Sequence, residues 1–162
     1  GKDEYLIKVK NKVKIPVLRK DFIVDIYQIF ESKIIGSDAI LLIADILEEN
    51  ILKEFFLTAK LLNLGVLMEI HDEENLAKAL NVGADIIGIN NRCLKDFSVD
   101  IKNTETLSHI IPNDKVVVSE SGINSREDID FLLKNSKAKT FLIGETFVKS
   151  KNPGLKLREF LK

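Results

Sequence analysis

Short apolar runs recur along this chain, each ending in polar residues and followed by a stretch with helical spacing. Residues 16–20, 39–43, 66–70, 85–89, 115–119 and 140–143 read as strands, rich in Val, Ile and Leu. The runs lie roughly 20 to 30 residues apart, about one strand plus one crossover helix. Their apolar positions are consecutive, as in parallel strands covered on both faces. The segments between them carry helix signals. Asp25-Ile26-Tyr27-Gln28 resembles a capping box, and Gly36 stands where a left-handed residue would close the helix. Asp72 can cap a helix with Leu76, Ala79 and Leu80 on one face, closed by Gly83. Ser125-Arg126-Glu127-Asp128 opens another, with Ile129, Leu132 and Leu133 turned inward, and Pro153 starts a final helix running to Leu161. Residues 3–13 also read as a helix, and no strand precedes them. The fold class is therefore α/β, built of strand–helix units. No linker divides residues 1–162 into two domains, so one domain is expected.

What stands at the strand ends adds chemistry to this pattern. Lys20 follows the first run, Glu69 lies inside the end of the third, Asn90 and Arg92 end the fourth, and Glu120 ends the fifth. Successive residues of a strand face opposite ways, so Leu18 shares a face with Lys20, Leu67 with Glu69, Gly88 with Asn90 and Val118 with Glu120. In a barrel of strand–helix units the strand carboxyl ends converge on one face, where active sites are built. A lysine, two glutamates and an asparagine meeting there would make an acid–base site. Each residue also has a plainer reading. A lysine after a strand is usually solvated, Glu120 between two serines could simply close a loop, and a carboxylate at Glu69 needs a partner if it is buried. The recurrence at several strand ends outweighs any single member. A second constellation concerns anions. Ser121-Gly122 and Gly144-Glu145 follow the last two runs, and glycine before a helix lets main-chain N–H groups approach an anion. Both glycines could instead only permit tight turns. The Glu145 side chain would repel a phosphate, so any contact there should come from main-chain amides.

Composition narrows the classes. The chain has 162 residues, 45% apolar and 30% charged, which suits a globular domain with a sizeable core. A formal net charge of −1 gives no electrostatic reason to expect nucleic acid or an anionic membrane. The apolar run that begins at Ala39 is far shorter than the roughly 20 residues of a membrane span. A single Cys93 precludes an internal disulfide and suits a reducing, cytoplasmic setting.

Four motifs, taken in order, carry a resemblance to a known family. They are Pro16-Val17-Leu18-Arg19-Lys20-Asp21-Phe22, Met68-Glu69-Ile70-His71-Asp72, Gly88-Ile89-Asn90-Asn91-Arg92 and Ser119-Glu120-Ser121-Gly122-Ile123. The chain resembles indole-3-glycerol phosphate synthases of tryptophan biosynthesis. That resemblance implies a TIM (β/α)8 barrel that closes a ring in 1-(2-carboxyphenylamino)-1-deoxyribulose 5-phosphate, losing carbon dioxide and water, with no metal or organic cofactor. It implies Lys20 as general acid and Glu69 as general base, with Asn90 and Glu120 placing substrate hydroxyls and tuning the lysine. Arg92 would pair with nearby acidic groups, Phe22 would line a slot for the anthranilate ring, and Ser121 would contact substrate. Gly122, Gly144 and Glu145 map to the phosphate loops, the last through its backbone.

The resemblance also sets out what this stretch of sequence lacks. Family members carry an N-terminal helix, a first strand with a further lysine in a Lys-x-x-Ser-Pro-Ser-like segment, and a second strand. Strands three to eight are expected here, in a fold that needs about 250 residues. The 162-residue chain alone is then expected to turn over poorly, and its open edges could favour self-association. Two rival readings are a non-catalytic partial barrel and another ribulose-phosphate-binding barrel, such as phosphoribosylanthranilate isomerase.

Overall fold

The computed structural model describes residues 2–161. Its helices and strands alternate in the order expected of strand–helix units. Packing divides the chain into two compact units: Gly1–Ile70 with Glu74–Ile86, and His71–Glu73 with Ile87–Lys162. The absence of a linker in the sequence is no guide to this division, because it falls beside strands and not in a polar tether.

The first unit opens with α1 (Asp3–Lys10) and continues through β1 (Leu18–Arg19), α2 (Tyr27–Ile34), β2 (Ala39–Ile43), α3 (Glu49–Leu61), β3 (Gly65–Ile70) and α4 (Glu73–Asn81). Its three strands lie side by side in chain order and pair in parallel, with Leu18 opposite Ala39 and Ile43 opposite Glu69. Ile40, Leu41, Leu42 and Ile43 are all buried, so β2 is covered on both faces, as its uninterrupted apolar run requires. The layers over it come from helices with one apolar stripe each. Leu52, Phe55, Phe56 and Ala59 of α3 are buried, while Leu57 and Leu61 face solvent.

Helix ends in this unit follow the sequence signals closely. Gln28 Oε1 accepts from the Asp25 and Val24 amides, and Asp25 Oδ1 accepts from the Tyr27 amide, a box one residue tighter than the usual spacing. Gly36 and Gly83 close α2 and α4 with φ of +88° and +85°. Two expectations are corrected. The helix expected over 3–13 stops at Lys10, where the Lys12 amide makes a tighter i→i−3 bond onto the Val9 carbonyl. The strand expected over 16–20 is only Leu18–Arg19: the Val17 amide donates to Asp38 Oδ2 at 2.6 Å instead of continuing the ladder.

The second unit holds β4 (Ile86–Asn90), α5 (Lys102–Ser108), β5 (Val116–Glu120), α6 (Arg126–Asn135), β6 (Thr140–Leu142), α7 (Glu145–Lys149) and α8 (Pro153–Phe160). β5 and β6 pair in parallel with Glu120 opposite Leu142. Ile123, Ile129, Leu132 and Phe160 form a buried cluster, flanked by Phe131, Phe141, Ile143 and Phe147. Phe147 meets Phe160 edge to face with ring centres 5.4 Å apart, and this contact draws α7 and α8 together. Asp128 Oδ2 accepts from the Asn124 and Ser125 amides at the start of α6, as the Ser125–Asp128 signature predicts. Asn152 Oδ1 accepts from the Leu155 amide, and Pro153 fills the first position of α8. The short helix α7 begins directly after Gly144, where the sequence places a helix without giving its length.

Among the described residues, no helix is long and apolar enough to cross a membrane.

Candidate functional site

Two clusters of polar side chains stand at strand carboxyl ends, one in each unit. In the first unit, Lys20 follows β1 and Glu69 lies next to last in β3. Their side chains meet, with Lys20 Nζ 3.4 Å from Glu69 Oε2. The glutamate side chain is only 4% exposed and the lysine 46%. A carboxylate at that depth needs compensation, and the half-exposed ammonium supplies it while staying open to solvent. An ammonium and a carboxylate in contact, one of them accessible, can deliver and remove protons at neighbouring atoms of one small molecule. Phe22, two residues after Lys20, is 56% exposed and free to cover an apolar ligand.

Arg19 points away from Lys20, as strand alternation requires, and is buried. Its guanidinium donates to the Gln28 carbonyl and to Ser32 Oγ, and it lies 2.8 Å from Glu31, 3.2 Å from Asp3 and 3.5 Å from Asp21. It thereby ties α1, α2 and the residue after Lys20 to one rigid point. Sequence reasoning missed this group, since an arginine beside a lysine at a strand end carries no signature of burial. Beside it lies a cavity of about 520 Å³ lined by Asp3, Tyr5, Leu6, Val9, Leu18 and Lys20.

In the second unit, Asn90 ends β4 and Glu120 ends β5, and both are buried. Asn90 Oδ1 accepts from the Arg92 amide, fixing the chain as it leaves the strand. Its carbonyl takes His71 Nδ1 and Asn103 Nδ2. The expectation that Arg92 pairs with an acidic group is met by Glu145, at 2.6 Å. Glu145 also receives Lys149 at 2.5 Å. The Lys149 hydrogen bond, then the charges of Lys149 and Arg92, hold the Glu145 carboxyl below the usual carboxylate range. With its carboxylate engaged in this way, Glu145 can offer an anion only its main chain, as its position after Gly144 suggests.

The turn after β5 is tightly constrained. Ser121 and Gly122 take successive positive φ values of +66° and +77°. A Cβ on Gly122 would lie 2.6 Å from Val99 Cγ1, so only glycine fits. At Gly144 a Cβ would meet nothing within 4 Å. The two glycines that look alike in the sequence are thus different: one is demanded by packing, the other stands in open space.

A further buried group, also missed in the sequence, supports this turn. Asn91 Nδ2 donates to the Ser121 carbonyl and to Ser119 Oγ, while its Oδ1 accepts from the Thr104 amide and hydroxyl. Its partners lie 13 to 30 residues away, so no local pattern marks them.

Parallel strands alternating with helices, with polar side chains at strand carboxyl ends in each unit, make an α/β fold of the barrel-forming kind. The family is given by sequence. Residues 1–160 match the model of indole-3-glycerol phosphate synthase, and the chain belongs to that family. It is 51% identical over 160 residues to the indole-3-glycerol phosphate synthase of Acetivibrio thermocellus, covering 99% of this chain and 61% of the relative. It is 52% identical over 162 residues to that of Caldanaerobacter subterraneus subsp. tengcongensis, covering 100% of this chain and 62% of the relative. The chain therefore spans about three fifths of the length of the curated relatives it matches. The crystal structure of 3-hexulose-6-phosphate synthase from Salmonella typhimurium aligns with a TM-score of 0.82 at 15% identity, covering 98% of this chain and 77% of that one. The crystal structure of KGPDC from Streptococcus mutans aligns with a TM-score of 0.74 at 13% identity, covering 98% of this chain and 76% of that one. At such identities these likenesses concern the fold alone.

Proposed function

We propose that this chain carries the acid–base residues of indole-3-glycerol phosphate synthesis, and that its six strands are strands three to eight of the barrel. The observation that carries the reading is the contact of Lys20 with a buried Glu69, 3.4 Å apart. The substrate is 1-(2-carboxyphenylamino)-1-deoxyribulose 5-phosphate. Ring closure requires its carbonyl to be made electrophilic, and the Lys20 ammonium donates the proton that does so. Carbon dioxide then leaves, the hydroxyl departs as water with a proton from an acid, and Glu69 removes the ring proton that restores aromaticity. Asn90 and Glu120 hold the substrate hydroxyls, Phe22 covers the anthranilate ring, and Ser121 contacts the sugar chain. The main-chain amides beside Gly122, Gly144 and Glu145 take the phosphate, with Arg92 holding the Glu145 carboxylate aside. The setting is the cytoplasm, and the small phosphorylated substrate is the only partner the reaction needs.

The test is fluorescence of the indole product with this substrate, after intact mass has fixed the length of the purified polypeptide. In an active polypeptide carrying these residues, Lys20→Met should cut turnover by about 10² or more, the usual share of one well-placed acid, with KM changed far less. Unchanged turnover in that variant would remove Lys20 from the mechanism. The 162-residue chain by itself should turn over poorly, because the family's further lysine lies in the segment that precedes this stretch.

A further inference from the structure

We propose that Asn91 is a positioning residue that sets the anion-binding turn at Ser121–Gly122, an inference that rests on the phosphate reading above. Ser121 sits in the left-handed region, which is costly for a residue with a Cβ and persists only where the surroundings impose it. Two features impose it here. Val99 and Ile101 wall one side of Gly122 so closely that a Cβ would stand 2.6 Å and 3.1 Å from them. In addition, Asn91 Nδ2 holds the Ser121 carbonyl at 3.0 Å.

Asn91 is suited to this because it is only 2% exposed and its side chain is fully committed. Both amide hydrogens are used, on Ser119 Oγ and the Ser121 carbonyl. Its oxygen takes both Thr104 donors, at 3.1 and 2.8 Å. Its backbone amide donates to the Glu120 carbonyl at 2.8 Å. One side chain therefore locks the end of β5 against the start of α5, and it aims the Ser121 carbonyl inward. The planar trans peptide that carries this carbonyl turns its own N–H, that of Gly122, the opposite way, and Ile123 N–H follows it in the chain. Since Asp128 already engages the Asn124 and Ser125 amides, those two N–H groups are the ones left for a phosphate.

The experiment titrates inorganic phosphate into the 162-residue chain, following the amide resonances of Gly122 and Ile123. Three proteins are compared. Asn91→Ser removes the reach to Ser121 without adding charge. Thr104→Val removes hydroxyl hydrogen bonds from the same buried group but leaves the Asn91–Ser121 contact. A purely structural role would make the loss of binding in each variant follow its loss of thermal stability, which melting of both measures. The expected result is phosphate binding weakened at least tenfold in Asn91→Ser and within about twofold of wild type in Thr104→Val. If the serine variant is poorly folded, Asn91→Asp repeats the test, since it keeps an acceptor for both Thr104 donors and loses the two bonds that Nδ2 donates, to Ser121 and to Ser119. Equal weakening in the two positions, or none in either, overturns the role of Asn91 alone. Failure of the wild-type chain to shift these two resonances overturns the phosphate reading, and the inference with it.

Discussion

Lys20 and Glu69 are coupled by their contact, so neither should act as an independent unit. Removing the ammonium leaves a buried carboxylate without that partner, and removing the carboxylate leaves the lysine without its fixed neighbour. In an active polypeptide, Lys20→Met and Glu69→Gln should each lower turnover by roughly 10² to 10⁴. The double variant should be little worse than the poorer single one, because residues that act as a unit are strongly non-additive. Product fluorescence on the three variants checks this, and additive losses would separate the two roles. Arg19 calls for a different expectation. It touches three carboxylates, a carbonyl and a hydroxyl from a buried position, and it faces away from Lys20. Arg19→Met should cost about 2 to 4 kcal/mol of stability, since it strips a buried charge from partners arranged around it. Urea unfolding measures that, and a loss below about 0.5 kcal/mol would mean the cluster is solvated in practice.

At the level of elements, the two glycines proposed to serve the phosphate separate packing from ligand binding. Gly122→Ala meets Val99 at 2.6 Å with a backbone at φ +77°, so it should destabilise the chain by about 2 kcal/mol or more. Gly144→Ala projects into open space at φ −113°, and should leave the melting temperature within a degree or two. If Gly144 serves a phosphate, that variant should still weaken phosphate binding, because a methyl group would occupy the approach. Thermal melting with phosphate titration separates the two cases. The same contrast shows what the sequence makes legible. The strands at 39–43, 66–70, 85–89 and 115–119 stand within one residue of expectation, because a strand buried on both faces must be a continuous apolar run. The caps at Asp25–Gln28 and Ser125–Asp128 are local, so they too can be read directly. α7 is not legible beyond its start after Gly144, for the converse reason. It has only five residues, including Thr, Phe and Val, and it is held by Phe147 packing on Phe160 and by Glu145 pairing with Arg92, 53 residues away. Lys20, Glu69, Asn90 and Glu120 are legible as polar residues where apolar runs end. Arg19 and Asn91 are not, because what distinguishes them is burial among distant partners.

For the molecule as a whole, the ion pairs set a direction of pH dependence. Asp38 lies below the usual carboxylate range because Lys10 and the Val17 amide donate to it. Glu145 lies below it because of Lys149 first and Arg92 second. Asp96 and Glu127 are lowered by hydrogen bonds from Ser98 and Ser125. In the unfolded chain these donors are gone, so the carboxylates return towards their ordinary values of 3.8 and 4.5 and bind more protons at a given acidic pH. A group whose folded value is depressed contributes stability that is fully present above its unfolded value. That contribution is lost as pH falls through the folded value. Stability should therefore hold steady from pH 7 down to about 5 and then decline, with all four groups acting in the same sense. Because three of them are exposed and Asp38 is half-buried, each contribution is small and should shrink further at high salt. Asp38 belongs to the first unit and Glu145 to the second, and they share no partner, so their contributions should add. The double variant Asp38→Asn, Glu145→Gln should start lower at pH 7 and show a shallower decline between about pH 5 and 3 than the parent chain. Urea midpoints measured across that range, at low and at high salt, decide it: an acid limb of unchanged slope would mean that other carboxylates, and not these ion pairs, govern acid unfolding.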